Sequence, residues 1–185
     1  MADAIRIEAP LSRHNINFLK AGDNVLISGT VYTGMDVAQQ KVVETLTRGE
    51  RLHFDLRDQL IYFTGPTPAK PGQVIGSAGP KANGWLDEYS PKLIAQGLSG
   101  IIGKGVCPPS IIDAFKEYGA VFFGAIGGVG ALIAKSIVSA EVIAYPELGA
   151  EAIHRIQVKD FPVIVIVDSR GNNLYESAKA KYRRV

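Results

Sequence analysis

Residues 101–105 read Ile-Ile-Gly-Lys-Gly. Two β-branched residues form the end of a strand. The glycines around them let backbone approach a ligand closely. The lysine between them presents a compact charge with three donors, suited to a carboxylate or phosphate. In open α/β sheets ligands gather at the carboxyl ends of strands. A solvated loop lysine would look the same in isolation; the place of Lys104 between two glycines after a strand favours binding. A second glycine-rich piece, Gly-Ser-Ala-Gly-Pro, lies upstream at 76–80.

Working outward, Ser110 to Tyr118 reads as a helix behind Pro108-Pro109, and Val121 to Ala125 as a strand. Gly127 to Gly130 leads into a further helix ending near Lys135, and Val138 to Tyr145 and Val163 to Asp168 are strands. This alternation predicts a parallel sheet with right-handed crossovers. Upstream, Asn24 to Val31 reads as a buried strand, Asp36 to Leu46 as a helix stopped by Gly49, and Leu60 to Phe63 as a short strand. Ser90-Pro91 has the residues of a helix start, with Ser at the cap and Pro in the first turn. The first half is richer in strands and loops, so the expected architecture is α/β with mixed sheets, two of them, and helices packed on one side. Residues 1–185 are read as one domain.

Composition narrows the function. Hydrophobic residues make up 46% and charged residues 21%, a folding composition rather than a disordered one. A net charge of +2, with no basic stripe among aromatics, gives no reason to expect nucleic acid. No apolar run reaches membrane-spanning length and no leader is read at the start, so the expectation is a cytoplasmic protein. One cysteine, Cys107, rules out an internal disulfide and an all-cysteine metal cage.

Several features have structural readings that need no chemistry. Gly124 to Gly130 lacks the Gly-Lys-Ser/Thr ending of a phosphate loop and is read as close helix–strand packing. Cys107, before two prolines, is read as a buried thiol. His14, His53 and His154 have no metal-ligand spacing. The run from Asp168 to Asn173 is read as a side-chain-capped turn. Asp36 is placed to be a helix N-cap.

Five blocks together carry a resemblance: 21–33 (Ala-Gly-Asp-Asn-Val-Leu-Ile-Ser-Gly-Thr-Val-Tyr-Thr), 62–72 (Tyr-Phe-Thr-Gly-Pro-Thr-Pro-Ala-Lys-Pro-Gly), 76–80, 101–105 and 168–175 (Asp-Ser-Arg-Gly-Asn-Asn-Leu-Tyr). In order and spacing the chain resembles the β subunit, or C-terminal domain, of class I iron–sulfur hydro-lyases, the fumarate hydratases and L-tartrate dehydratases. The resemblance runs from about Leu11 to Glu176. It implies a swivelling β/β/α domain. It also implies an α subunit that carries a [4Fe–4S] cluster on its own cysteines, so that this chain ligates no metal. The β part would close the site on a dicarboxylate or hydroxy acid, with the open iron acting as Lewis acid. A homodimer, or an assembly of two α and two β chains, is implied, with no nucleic acid and no membrane.

The site motifs depart from that family. Its pattern Tyr-Thr-Ala-Arg-Asp, followed by a histidine in the next helical turn, is here Tyr32-Thr33-Gly34-Met35-Asp36 with Gln39 at the histidine's place. Its Thr-Thr-x-x-Arg after Gly-Pro is here Lys81-Ala82-Asn83-Gly84-Trp85. The resemblance thus assigns catalytic positions to Lys104, Lys81, Asp36 and Gln39, and substrate-binding positions to Lys104, Met35, Lys81 and Trp85. Neither Met35 nor Trp85 replaces a guanidinium fork. Lys81 restores a charge, and would transfer protons if burial and Lys104 lowered its pKa. The alternative is a substrate-shifted or non-catalytic relative that binds a small anion or stabilises an α subunit.

Overall fold

The computed structural model describes residues 4–82 and 86–183. Its elements are β1 (Ile5–Ala9), α1 (Arg13–Ile16), β2 (Asn24–Thr33), α2 (Asp36–Thr47), β3 (Leu60–Tyr62), α3 (Leu86–Ala95), β4 (Gly100–Gly103), α4 (Pro109–Tyr118), β5 (Val121–Gly124), α5 (Gly130–Ala134), β6 (Ile137–Ala144), a 3-10 segment (Pro146–Glu151), β7 (Ile153–Val167) and α6 (Leu174–Tyr182). Among the described residues no helix is long and apolar enough to cross a membrane.

Strand β2 pairs in parallel with β1 and β3, β3 with β4, and β4 with β5. Strand β7 runs antiparallel to β2, β5 and β6. Because β7 bonds both β5 and β2, the circuit β2–β3–β4–β5–β7 closes on itself, with β1 and β6 attached outside it. Two separate sheets were expected; one continuous hydrogen-bonded sheet is found. The reason is length: β2 has 10 residues and β7 has 15, enough for each to serve both layers.

Side-chain alternation builds two cores. Leu60 and Tyr62 of β3, Ile102 of β4, and Val121 and Phe123 of β5 face one cluster with Val25, Ile27 and Val165. Their neighbours Ile61, Ile101 and Phe122 face the other, with Val42, Ile94, Ile111 and Phe115 from α2, α3 and α4. Burial on both faces explains the unbroken apolar runs of these strands, and each fully buried phenylalanine contributes about 1.5 to 3 kcal/mol. Helices were expected on one side only; α2, α3 and α4 share one side, but Ile16 of α1 and Ile133 of α5 pack into the other cluster.

Two helix starts differ from expectation. Met35, extended at φ −103°, occupies the N-cap of α2 without a side-chain cap bond, so Asp36 is the first helical residue and not the cap. Helix α3 begins at Leu86 and carries Pro91 inside it. Ser90 caps nothing: its Oγ is buried without a hydrogen-bond partner among the described residues. The first turn already stands before Pro91, whose missing N–H is the feature that mimics a helix start. The turn at 168–173 is as read: the Asp168 carboxylate accepts from the N–H of Arg170 and of Asn172, both at 3.0 Å, and from Asn172 Nδ2 at 2.9 Å.

Candidate functional site

The parallel strands end together, and the residues beyond those ends converge. Lys81 N–H donates to the Phe63 carbonyl at 2.9 Å, just past β3. Ala82 then forms a parallel bridge with Lys104, just past β4. Asp36 opens α2 immediately after β2. The segment 81–82 thus joins the ends of β3 and β4, with Ala82 paired to Lys104 and Lys81 one residue before that pair.

The glycine-rich pieces form the floor. Ala78 N–H donates to the Gly130 carbonyl at 3.1 Å. A Cβ on Gly130 would meet Gly79 N at 2.7 Å and Ser77 Oγ at 2.5 Å, so glycine is required for that approach. The packing reading of 124–130 thus applies to Gly130, whose partner is the 76–80 segment rather than a strand. The Lys104 side chain lies over Gly127, with Nζ 3.7 Å from where a Cβ would stand.

The two lysines differ in their company. Lys104 is exposed and forms no ion pair among the described residues, so its charge is open to an incoming anion. Lys81 Nζ stands 3.9 Å from Glu151 Oε1. Lys81 is exposed, not buried as the proton-transfer expectation required, and its near neighbour is a carboxylate. Burial raises the pKa of Asp36 above the ordinary carboxyl range; the charge of Glu151 adds to this and that of Lys81 opposes it. Asp36, Lys81 and Glu151 therefore act on one another as a charge cluster.

Met35 is buried. Gln39 is buried too, its Nε2 donating to the Gly34 carbonyl at 3.4 Å. Neither presents a charge at the strand ends. Trp85 lies outside the described residues.

A family model described as Fumarase C-terminus matches residues 1–178. This chain belongs to the Fumarase C-terminus family. It is 41% identical over 152 residues to "Fumarate hydratase class I, aerobic" of Escherichia coli, covering 81% of this chain and 28% of that protein. It is 35% identical over 170 residues to "Fumarate hydratase 2" of Leishmania major, covering 91% of this chain and 30% of that protein. It is 35% identical over 177 residues to "Putative L(+)-tartrate dehydratase subunit beta" of Methanocaldococcus jannaschii, covering 92% of this chain and 91% of that protein. The chain thus spans less than a third of the length of either of these fumarate hydratases.

Two residues of this Fumarase C-terminus chain join the cluster without a local signal in the sequence. Glu151 arrives from the end of the 3-10 segment, and Gly65 leaves room for Lys81: a Cβ there would lie 3.3 Å from Lys81 Nζ and 3.4 Å from the Ala150 carbonyl. His154 is tied into the structure by its ring and backbone. Its Nδ1 lies 3.0 Å from the Ala152 carbonyl and 3.1 Å from Thr33 Oγ1, and its N–H donates to that hydroxyl. Burial pushes its pKa below the ordinary value, and the Ala152 carbonyl opposes this.

Among the described residues no group of three or more His, Cys, Asp and Glu stands where it could hold a metal ion. Cys107, the sole cysteine, is buried. These residues do not fit the ligand set of an iron–sulfur cluster.

Proposed function

We propose that this chain is the β part of an iron–sulfur-dependent hydro-lyase of the fumarate hydratase and tartrate dehydratase type. In this reading it is one swivelling β/β/α domain that closes a dicarboxylate or hydroxy-acid site. The [4Fe–4S] cluster sits on a separate α subunit in the cytoplasm, in a homodimer or an assembly of two α and two β chains. The observation that carries the reading is the convergence of Asp36, Lys81 and Lys104 at three neighbouring strand ends in a chain of this family. The match to nearly the whole length of a protein named a subunit beta supports a separate partner.

A hydro-lyase removes a hydroxyl from one carbon and a proton from its neighbour. The cluster, with its ligands on the partner, supplies a Lewis acid for the hydroxyl. The share of this chain is substrate charge and the proton. Lys104, open to solvent, holds a carboxylate. Asp36, whose pKa burial raises, exchanges the proton, with the charges of Glu151 and Lys81 acting on it in opposite directions. Met35 and Gln39, both buried, stand at positions where the family carries cations.

Met35 favours a second reading. Without a guanidinium at that position a second carboxylate is held more weakly, by about 2 to 5 kcal/mol. The chain then serves a less charged hydroxy acid, or serves as a non-catalytic partner that binds a small anion and stabilises the α subunit. The test is co-expression with an α chain bearing three cluster cysteines, anaerobic purification, and a screen on fumarate, malate, tartrate and related acids. Turnover supports the enzyme, a cluster-bearing complex without turnover supports the partner role, and failure to form a complex sinks both.

A further inference from the structure

We propose a second ligand site at the opposite end of the parallel strands, where Arg13 and Arg57 line a cavity of about 500 Å3, and that its ligand is a small phosphorylated molecule with a hydroxyl-bearing body. The cavity forms where the chain after β1 meets the turns entering β3 and β4. Leu11 N–H donates to the Asp58 carbonyl at 2.7 Å, and Asp58 N–H to the Gly97 carbonyl at 2.9 Å. The four residues of β4, roughly 13 Å of strand, separate it from Lys104.

Both arginines are positioned without being neutralised. The Arg13 guanidinium lies over the Tyr118 ring, 5.7 Å from its centroid, which orients the group and leaves its N–H edges open. The stem of Arg57 packs on Gly97, where a Cβ would lie 3.4 Å from Arg57 Cγ. Neither forms an ion pair among the described residues, although other basic side chains form six. Two unpaired planar forks facing one cavity suit a phosphate, which each binds through paired N–H donors.

The remaining wall says more about the ligand. Asp58 lines the same cavity, held in left-handed backbone at φ 62°. Its carboxylate repels an oxyanion and accepts from a hydroxyl. Gln96 and His14 add polar contact. The volume exceeds a bare phosphate and falls in the range of ordinary small-molecule sites. A sugar or nucleoside phosphate meets all three demands: phosphate on the arginines, hydroxyls on Asp58, a body that fills the space.

The test is titration calorimetry of the full chain with ADP at low salt, with adenosine and pyrophosphate as controls. ADP binds and adenosine does not. The Arg13→Ala/Arg57→Ala pair weakens ADP by about tenfold or more, and Arg57→Lys, which keeps the charge and loses the fork, falls between. Asp58→Asn removes the preference for ADP over pyrophosphate. A Lys81→Ala/Lys104→Ala pair leaves the affinity unchanged. Absence of ADP binding overturns the proposal, as does undiminished binding in the arginine pair with native circular dichroism, or loss of binding in the lysine pair alone.

Discussion

Lys81 Nζ stands 3.9 Å from Glu151 Oε1, so a lysine bonded alongside the end of β3 meets a carboxylate from the segment that leads into β7. Asp36 feels both, burial being the largest influence on it, Glu151 raising its pKa further and Lys81 lowering it. The two substitutions therefore have opposite signs. Glu151→Gln moves the Asp36 titration to lower pH, and Lys81→Met moves it to higher pH. Carboxyl NMR of the two variants reads this directly. Shifts of the same sign would show that the three groups are not coupled.

Gly29 is the bend in β2. Its φ is +97°, and a Cβ there would collide with the Ala9 carbonyl oxygen of the neighbouring strand. The register with β7 shifts between Ile27 and Gly29 at the same point. Gly29→Ala combines backbone strain with a clash against backbone that cannot move aside, a cost of about 2 kcal/mol or more. Urea unfolding measures it. A midpoint equal to the parent's would mean that β2 needs no bend there.

His154 gives the fold a pH dependence of definite sign. A carbonyl oxygen only accepts, so the 3.0 Å contact with Ala152 puts the proton on Nδ1. Burial makes the folded chain bind a second ring proton less readily than the unfolded chain. The contribution of His154 is then complete above its ordinary value of about 6.5 and is lost as pH falls below that toward the folded value. Thermal unfolding at pH 8 and pH 5.5 shows a drop in Tm that His154→Gln reduces. An equal drop in the variant would assign the effect elsewhere.

Strands buried on both faces were legible because their apolar runs are continuous: 100–103 and 121–124 differ from the reading by a residue or two, and 24–33, only partly buried, was legible from its Val25-Leu26-Ile27 run. Strand β1 was missed. Its alternating Ile5, Arg6, Ile7 and Glu8 carry as much charge as apolar area, and only pairing with β2 makes it a strand. The first half of β7 was missed for the same reason, since His154, Arg155, Gln157, Lys159 and Asp160 interrupt its apolar face. At the candidate site, Lys104, Lys81 and Asp36 stood out through short motifs beside glycine or at strand ends. Glu151 did not, because a lone carboxylate about 70 residues from Lys81 has no local pattern; the chain path from 3-10 segment to β7 brings it there. Gly65 was invisible likewise, its role being the room it leaves for another side chain.

On the proposed function, this chain contributes a cationic wall to a catalytic centre completed by another subunit. The most direct measurement is kcat/KM for hydroxy-acid dehydration by the chain alone, by its complex with the α subunit, and by that complex carrying Lys104→Ala. Activity is predicted only in the complex, falling about thirtyfold or more when Lys104 is removed, as expected for loss of a charged partner to a bound carboxylate. Turnover by the chain alone, or a complex indifferent to Lys104→Ala, would contradict it.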